Sequence, residues 1–204
     1  MVLRIVASSR INLTRDILSS AVNSTTKGPL HRVELVIREI PQQHDDDALA
    51  RLSRDQPEWS FELDSDGSLI VSPTHTEGGT RDVEAAIQLA AFAKTHGGKT
   101  FGSSTGFRMP DLSVRSPDAS WISSERIARL TPEERTKYWR VCPEIVIEVL
   151  SDSDSWATLL RKLDMYACNG ALFVVGIDPF ARLVETRGAA PDGLRLDYDA
   201  IMDA

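Results

Sequence analysis

Apolar positions come in short blocks along this chain, and the two densest blocks lie in its second half. Ile145-Val146-Ile147-Glu148-Val149-Leu150 and Ala171-Leu172-Phe173-Val174-Val175-Gly176-Ile177 are nearly unbroken runs of apolar residues. Such runs predict strands covered on both faces. Between them Trp156, Leu159, Leu160, Leu163, Tyr166 and Ala167 recur at helical spacing, which predicts a helix from Ser155 to Asn169 closed by Gly170. A strand, a helix and a strand in that order imply a right-handed crossover between parallel strands. Asp178-Pro179 then turns the chain, and Arg182 to Thr186 is expected to return beside the second strand.

Upstream the blocks are shorter. Phe61-Glu62-Leu63 and Leu69-Ile70-Val71 flank Asp64-Ser65-Asp66-Gly67, a hairpin pattern. Ala48 to Asp55 predicts a short helix stopped near Pro57. Pro73 and Gly78-Gly79 are expected to break the chain before a helix from Arg81 to His96, which Gly97-Gly98 ends. Thr100 to Phe107 and Ala119 to Ser123 are expected to be extended, and a short helix to start at Thr131-Pro132-Glu133-Glu134. Residues 1–47 read as an N-terminal extension to a domain spanning 48–204. The extension holds one strand candidate, Val33 to Ile40, and ends in Asp45-Asp46-Asp47, which reads as a linker. The whole is an α/β pattern, a mixed sheet flanked by helices.

A length of 204 residues suits one domain with a sizeable core. The hydrophobic fraction of 42% and charged fraction of 26% are those of an ordinary globular protein. No apolar run is long enough to cross a bilayer, so no membrane partner is expected. The first residues carry one arginine and too short an apolar core for a secretory signal, so a cytoplasmic location is expected. Two cysteines, Cys142 and Cys168, make no disulfide framework, and the four histidines form no zinc-binding pattern. The net charge of -7 argues against nonspecific gripping of duplex nucleic acid. It leaves room for an enzyme with a local basic patch around an acidic metal site.

Glu148 is the first candidate for chemistry, because a charge inside so apolar a strand is unfavourable unless it is paired or binds a cation. It also falls near the carboxyl end of its strand, where α/β sites usually lie. Asp118 follows Ser116-Pro117; alone it is a turn aspartate, but with Glu148 it could share one hard divalent cation. Lys162 lies at the edge of the apolar face of its helix. Either it lies along the surface with its ammonium in water, or the ammonium reaches the site. Glu84 and Gln88 form a polar stripe on a helix that is otherwise apolar almost all round. That stripe is either the helix's wet face or part of a polar site.

Taken together these segments resemble the Uma2 family, a branch of the PD-(D/E)XK restriction-endonuclease-like superfamily. The resemblance runs from about Trp59 to Arg187. It rests on Phe61-Glu62-Leu63 with Gly67, Val71-Ser72-Pro73, Gly102-Ser103-Ser104-Thr105-Gly106-Phe107-Arg108-Met109-Pro110 and Ser116-Pro117-Asp118-Ala119-Ser120-Trp121. It continues through Cys142-Pro143-Glu144-Ile145-Val146-Ile147-Glu148-Val149-Leu150-Ser151, then Lys162, Tyr166, Asn169-Gly170 and Ile177-Asp178-Pro179. The resemblance implies a restriction-endonuclease-like mixed sheet flanked by helices, with Asp118 and Glu148 as the motif acids. Leu150 stands where the short form of the motif has lysine, and the family supplies its lysine from the next helix, here Lys162. Glu84 would be the acid of the first helix.

The expected activity is hydrolysis of a DNA phosphodiester dependent on Mg²⁺ (or Mn²⁺). Asp118, Glu148 and Glu84 would hold metal, and Lys162 would position the attacking water. Arg108, Arg115, Arg126 and Arg129 are either phosphate contacts or a solvated surface set. Two other readings stay open: a nuclease fold without activity that serves interaction or regulation, and a small-molecule hydrolase using the same carboxylates. A homodimer is expected from the resemblance alone.

Overall fold

The computed structural model describes residues 3–5, 37, 41–42, 45–73, 76–152 and 154–204. Apart from Ile37, the strand expected from Val33 to Ile40 lies outside the described residues.

Two five-stranded sheets form the frame. In spatial order the first holds β1 (Leu3–Ile5), β3 (Leu69–Pro73), β2 (Trp59–Leu63), β6 (Val114–Arg115) and β5 (Phe107–Arg108), with antiparallel neighbours throughout. The second holds β10 (Leu183–Gly188), β9 (Phe173–Asp178), β8 (Ile145–Val149), β7 (Ala119–Ile122) and β4 (Lys99–Gly102). Here β8 and β9 run parallel, as the strand–helix–strand pattern predicts, and the other neighbours run antiparallel. The hairpin β2–β3 therefore builds a sheet of its own rather than extending the mixed sheet. The chain changes sheets between β6 and β7, at Ser116-Pro117-Asp118. Proline has no N–H to continue a ladder, so the pairing breaks there.

The helices are α1 (Asp46–Asp55), α2 (Thr76–His96), α3 (Ser124–Arg129), α4 (Trp156–Cys168) and α5 (Tyr198–Asp203), with a 3₁₀ turn at Glu133–Arg135. The acidic run read as a linker is the start of α1. Asp45 caps it by accepting the Ala48 N–H at 2.8 Å, and Asp46 and Asp47 sit in its first turn. Carboxylates there oppose the positive end of the helix dipole, which is why three aspartates end the loop instead of prolonging it. Helix α2 starts upstream of the expected Arg81, with Gly78-Gly79 inside its first turns. Nor is α2 covered all round: Ala85, Leu89 and Phe92 are buried, while Val83 and Ile87 are 58% and 56% exposed.

Alternation along β8 and β9 divides the core in two. Ile145, Ile147, Val175 and Ile177 face α2, where Ile201 and Met202 of α5 join the same cluster. Val146, Leu150 and Val174 face the other way, onto Leu159, Leu163 and Tyr166 of α4. The first sheet packs Phe61, Leu63, Leu69, Val71 and Val114 with Leu49 of α1.

Gly98 sets the joint between α2 and β4. Its φ of +83° is a left-handed conformation, and a Cβ there would lie 2.3 Å from the Ile122 carbonyl oxygen and 2.8 Å from Trp121 Nε1. Gly98→Ala is expected to cost about 2–4 kcal/mol through backbone strain and overlap. Thermal unfolding should show a Tm roughly 5–10 °C below the parent; an unchanged Tm would contradict this account of the joint.

Candidate active site

The register of β7 against β8 pairs Ala119 with Ile147 and Ser120 with Val146. Continued by one residue, it sets Asp118 opposite Glu148. Two carboxylates facing each other across a strand pair repel, so something must compensate them. Glu148 is 3% exposed, and its side chain leaves β8 on the α4 face. There Lys162 Nζ lies 2.8 Å from Glu148 Oε2, and the Tyr166 hydroxyl donates to Oε1 at 2.8 Å. Lysine and tyrosine are one helical turn apart, so one carboxylate is held at both oxygens by a single stripe of α4. Asp118 is held at one oxygen, where Oδ2 accepts the Val149 N–H at 2.7 Å.

What lets α4 come so close is Gly176, which sits beside Glu148 in the parallel ladder. A Cβ there would meet Leu163 Cδ1 at 2.8 Å and Leu159 Cδ2 at 3.3 Å. The bare backbone admits these two leucines and so seats the residue between them, Lys162, over the strand.

The first sheet adds a carboxylate that the sequence reading left in the hairpin. Glu62 of β2 is buried, and its Oε1 lies 3.8 Å from Lys162 Nζ while accepting the Ser116 N–H at 2.7 Å. Its Oε2 accepts from Arg115 Nη1 at 3.4 Å, and Arg115 Nη2 donates to Asp64 at 2.8 Å.

Helix α2 brings Asp82 to the site rather than Glu84. Asp82 hydrogen-bonds the Ser103 side chain and feels the charges of Glu148 and Lys162. It heads the stripe Ala85, Leu89, Phe92, the one that faces the sheet. Glu84 lies on another stripe. It accepts from Gln88 Nε2 at 2.9 Å, and Gln88 exchanges hydrogen bonds with the Asp197 backbone, so this polar pair braces the segment before α5. The structure thus brings Asp118, Glu148 and Lys162 together and leaves Glu84 outside. The spacing 82, 85, 89, 92 was the sequence signal for Asp82.

The four candidate arginines all have protein partners. Arg108 pairs with Asp46 and donates to the Leu112 carbonyl. Arg115 is tied as above, Arg126 donates to the Cys142 carbonyl at 2.8 Å, and Arg129 pairs with Glu125. Arg108 and Arg115 are buried and Arg126 is half-buried, whereas Arg129 sits in an exposed surface pair.

Burial governs the ionisation of the acids. For Glu148 it is the largest influence and raises the pKa; Lys162 opposes it, Asp118 and Glu62 add to it, and the result is about 8. Burial and then repulsion from Asp82 raise Asp118, against Lys162 and the Val149 N–H. Burial also raises Asp82, against the Ser103 hydrogen bond. Glu62 behaves oppositely. Burial acts to raise it, but Lys162, Arg115 and the Ser116 N–H outweigh burial and hold it below the usual value. For Lys162 burial acts downward, and Glu148, Glu62 and Asp118 together raise it.

This donor set fits a hard divalent cation. Its ligating atoms are carboxylate oxygens, and burial, with repulsion among the acids, raises the pKa of Asp118 and Glu148 despite Lys162. Among the described residues no group of three or more His, Cys, Asp or Glu side chains is placed to hold a metal ion. Mg²⁺ does not require one, since it keeps several waters and takes one or two carboxylates. Asp118 and Glu148 are the two residues that could hold it.

A profile of the Uma2 family, described as "putative restriction endonuclease", matches residues 46–193. No curated protein matches the chain. Among solved structures, a "putative nuclease belonging to DUF820" from Anabaena variabilis aligns with a TM-score of 0.57 and 17% identity. The alignment covers 71% of this chain and 90% of that one. At this identity the likeness is one of fold. Among the described residues no helix is long and apolar enough to cross a membrane.

The raised acids give stability a definite sign with pH. In the fold Glu148, Asp118 and Asp82 keep protons that the unfolded chain has released above the ordinary carboxylate range. The stability they contribute is complete below that range and is lost as pH rises through about 8. Groups with lowered pKa, such as Glu62, act only at more acid pH. In metal-free buffer, Tm should therefore fall between about pH 5 and pH 8.5, and less steeply in Glu148→Gln. A Tm that rises across this window would contradict the assignment.

Proposed function

The chain belongs to the Uma2 family, and from that premise we propose that it is a divalent-metal-dependent endonuclease hydrolysing phosphodiester bonds in DNA. The observation that carries the proposal is the convergence of Asp118, Glu148 and Lys162, with Lys162 Nζ 2.8 Å from Glu148. Opposed carboxylates with a cationic donor beside them are what in-line attack on a phosphodiester needs: oxygen ligands for a metal, and a positive charge for the reacting oxygens.

Each residue has a distinct task. Asp118 and Glu148 would hold Mg²⁺ or Mn²⁺, and Asp82 would take the part of the first-helix acid in place of Glu84. The bound cation lowers the pKa of water and offsets charge on a phosphoryl oxygen. Lys162, whose side chain is 26% exposed, orients the attacking water and stabilises the developing oxyanion. Tyr166 fixes Glu148, and the Val149 N–H fixes Asp118, so neither acid must be oriented anew as substrate arrives. A homodimer in the cytoplasm belongs to the same proposal.

One observation favours a second reading, an inactive nuclease fold serving interaction or regulation. Arg108, Arg115 and Arg126 are tied to protein partners away from open solvent, which leaves them poorly placed to take up phosphates.

Nicking of supercoiled plasmid and cutting of single-stranded DNA, with Mg²⁺ or Mn²⁺, distinguishes the two. Asp118→Asn, Glu148→Gln and Lys162→Met should each lower the rate by about 100-fold or more. Asp82→Asn should lower it by about tenfold or more, and Glu84→Gln should leave it within about twofold. Cleavage that persists in Glu148→Gln and Lys162→Met, or no cleavage by the parent under any divalent ion, would sink the endonuclease.

A further inference from the structure

Lys162 has two carboxylates within reach, and they are not equivalent. Glu148 Oε2 takes it at 2.8 Å, while Glu62 Oε1 stands off at 3.8 Å. Glu148 is the residue that the endonuclease needs at its metal. Glu62 has no such duty, comes from the other sheet, and is immobilised by the Ser116 N–H and Arg115. Ser116 opens the turn that carries Asp118, so Glu62 touches both the lysine and the support of the metal aspartate.

We propose that Glu62 is a positioning residue: a fixed second counter-charge that keeps the Lys162 ammonium in the site when Glu148 turns an oxygen towards a cation. This rests on the endonuclease reading. The physical need is plain. A single carboxylate shared by an ammonium and a divalent cation must weaken its grip on one of them, and a half-buried ammonium released by its partner would withdraw towards water. With Glu62 in place the ammonium stays between two anions, and the metal does not have to displace it. Glu62 acts on the reaction only through Lys162 and is not a catalytic residue. Its charge is balanced from behind by Arg115, and Arg115 is in turn shared with Asp64, so the clamp does not leave an unpaired ion when Lys162 engages substrate.

The test uses the full chain without DNA and reads Mn²⁺ binding by calorimetry. In Glu62→Gln the amide can still accept the Ser116 N–H, but Glu148 becomes the one carboxylate within ion-pair distance of the lysine, and Mn²⁺ must compete for it. Affinity should fall by about tenfold or more, in the range seen when a supporting partner of a metal ligand is lost. Adding Lys162→Met to Glu62→Gln should restore affinity to within about threefold of the parent, because no ammonium then holds Glu148; a merely structural loss would not be rescued this way. A second measurement needs no metal. The Lys162 ammonium resonance of ¹⁵N-labelled protein, identified by its loss in Lys162→Met, should be sharp in the parent and in Glu62→Asp and broadened away in Glu62→Gln. Unchanged Mn²⁺ affinity in Glu62→Gln, or failure of the double variant to recover it, overturns the inference while leaving the endonuclease intact. If the parent binds no Mn²⁺, the metal-dependent reading fails, and the ammonium resonance alone decides whether Glu62 holds the lysine: loss in Glu62→Gln supports it, and persistence overturns it.

Discussion

Lys162 and Glu148 meet at 2.8 Å, the carboxylate buried and the lysine half-buried, and such a pair survives only where added hydrogen bonds offset lost hydration. Much of the architecture can be understood as meeting that condition. Gly176 lets α4 settle on the sheet, the apolar stripe Leu159, Leu163, Tyr166 fixes its rotation, and Tyr166 takes the carboxylate oxygen that the lysine leaves free. The core thus places a charge with the same contacts that bury the apolar face. A helix held a little farther from β9 would leave both the strand glutamate and the lysine uncompensated, so packing and electrostatics cannot be tuned separately here.

The site also explains why the chain builds two sheets. A single sheet would carry Asp118 and Glu148 on adjacent strands but offer no third wall. By breaking the ladder at Ser116-Pro117-Asp118, the chain sets β2 and β6 beside the acids, and Glu62 flanks Lys162 from that side. Asp82 arrives from α2, on the far face of the second sheet, by heading that helix's buried stripe. Acids from both sheets and α2 therefore surround an ammonium supplied by α4.

What the sequence made legible follows from how local each signal was. The parallel pair β8 and β9, the crossover helix and the hairpin each announced themselves by periodicity or by a dense apolar run, and their residues fall where the pattern placed them. Asp118 opposite Glu148 was half legible: the two strands could be read, but their register could not. Asp82 and Glu84 differ by two positions on one helix, and which of them faces the sheet depends on the helix's rotation. So many alanines and aliphatic residues surround both that the apolar pattern hardly defined a face, and the polar pair Glu84 and Gln88 drew notice instead. Glu62 was invisible for a different reason. A glutamate in a hairpin strand beside an acidic turn reads as a solvated residue, and its value comes wholly from Ser116, Arg115 and Lys162, all distant in the chain. The helix α5 was not anticipated either; six residues with two buried positions carry too little pattern.

The charge balance of the pocket links its chemistry to its stability. Glu62 is ionised and serves as a fixed anion, whereas Glu148, Asp118 and Asp82 are pushed by burial and mutual repulsion towards their protonated forms. A protonated acid is a poor metal ligand, so cation binding must expel protons, and a cation that pays back the repulsion stabilises the fold it enters. Removing Glu62 would not simply relieve this crowding, because the charge lost is the one that the lysine and Arg115 already neutralise. The excess that attracts a cation lies in the three acids whose repulsion is left unrelieved by a single ammonium. The division into one carboxylate held ionised and three pushed towards their protonated forms is therefore what allows the same site to fold without metal and still have a use for it.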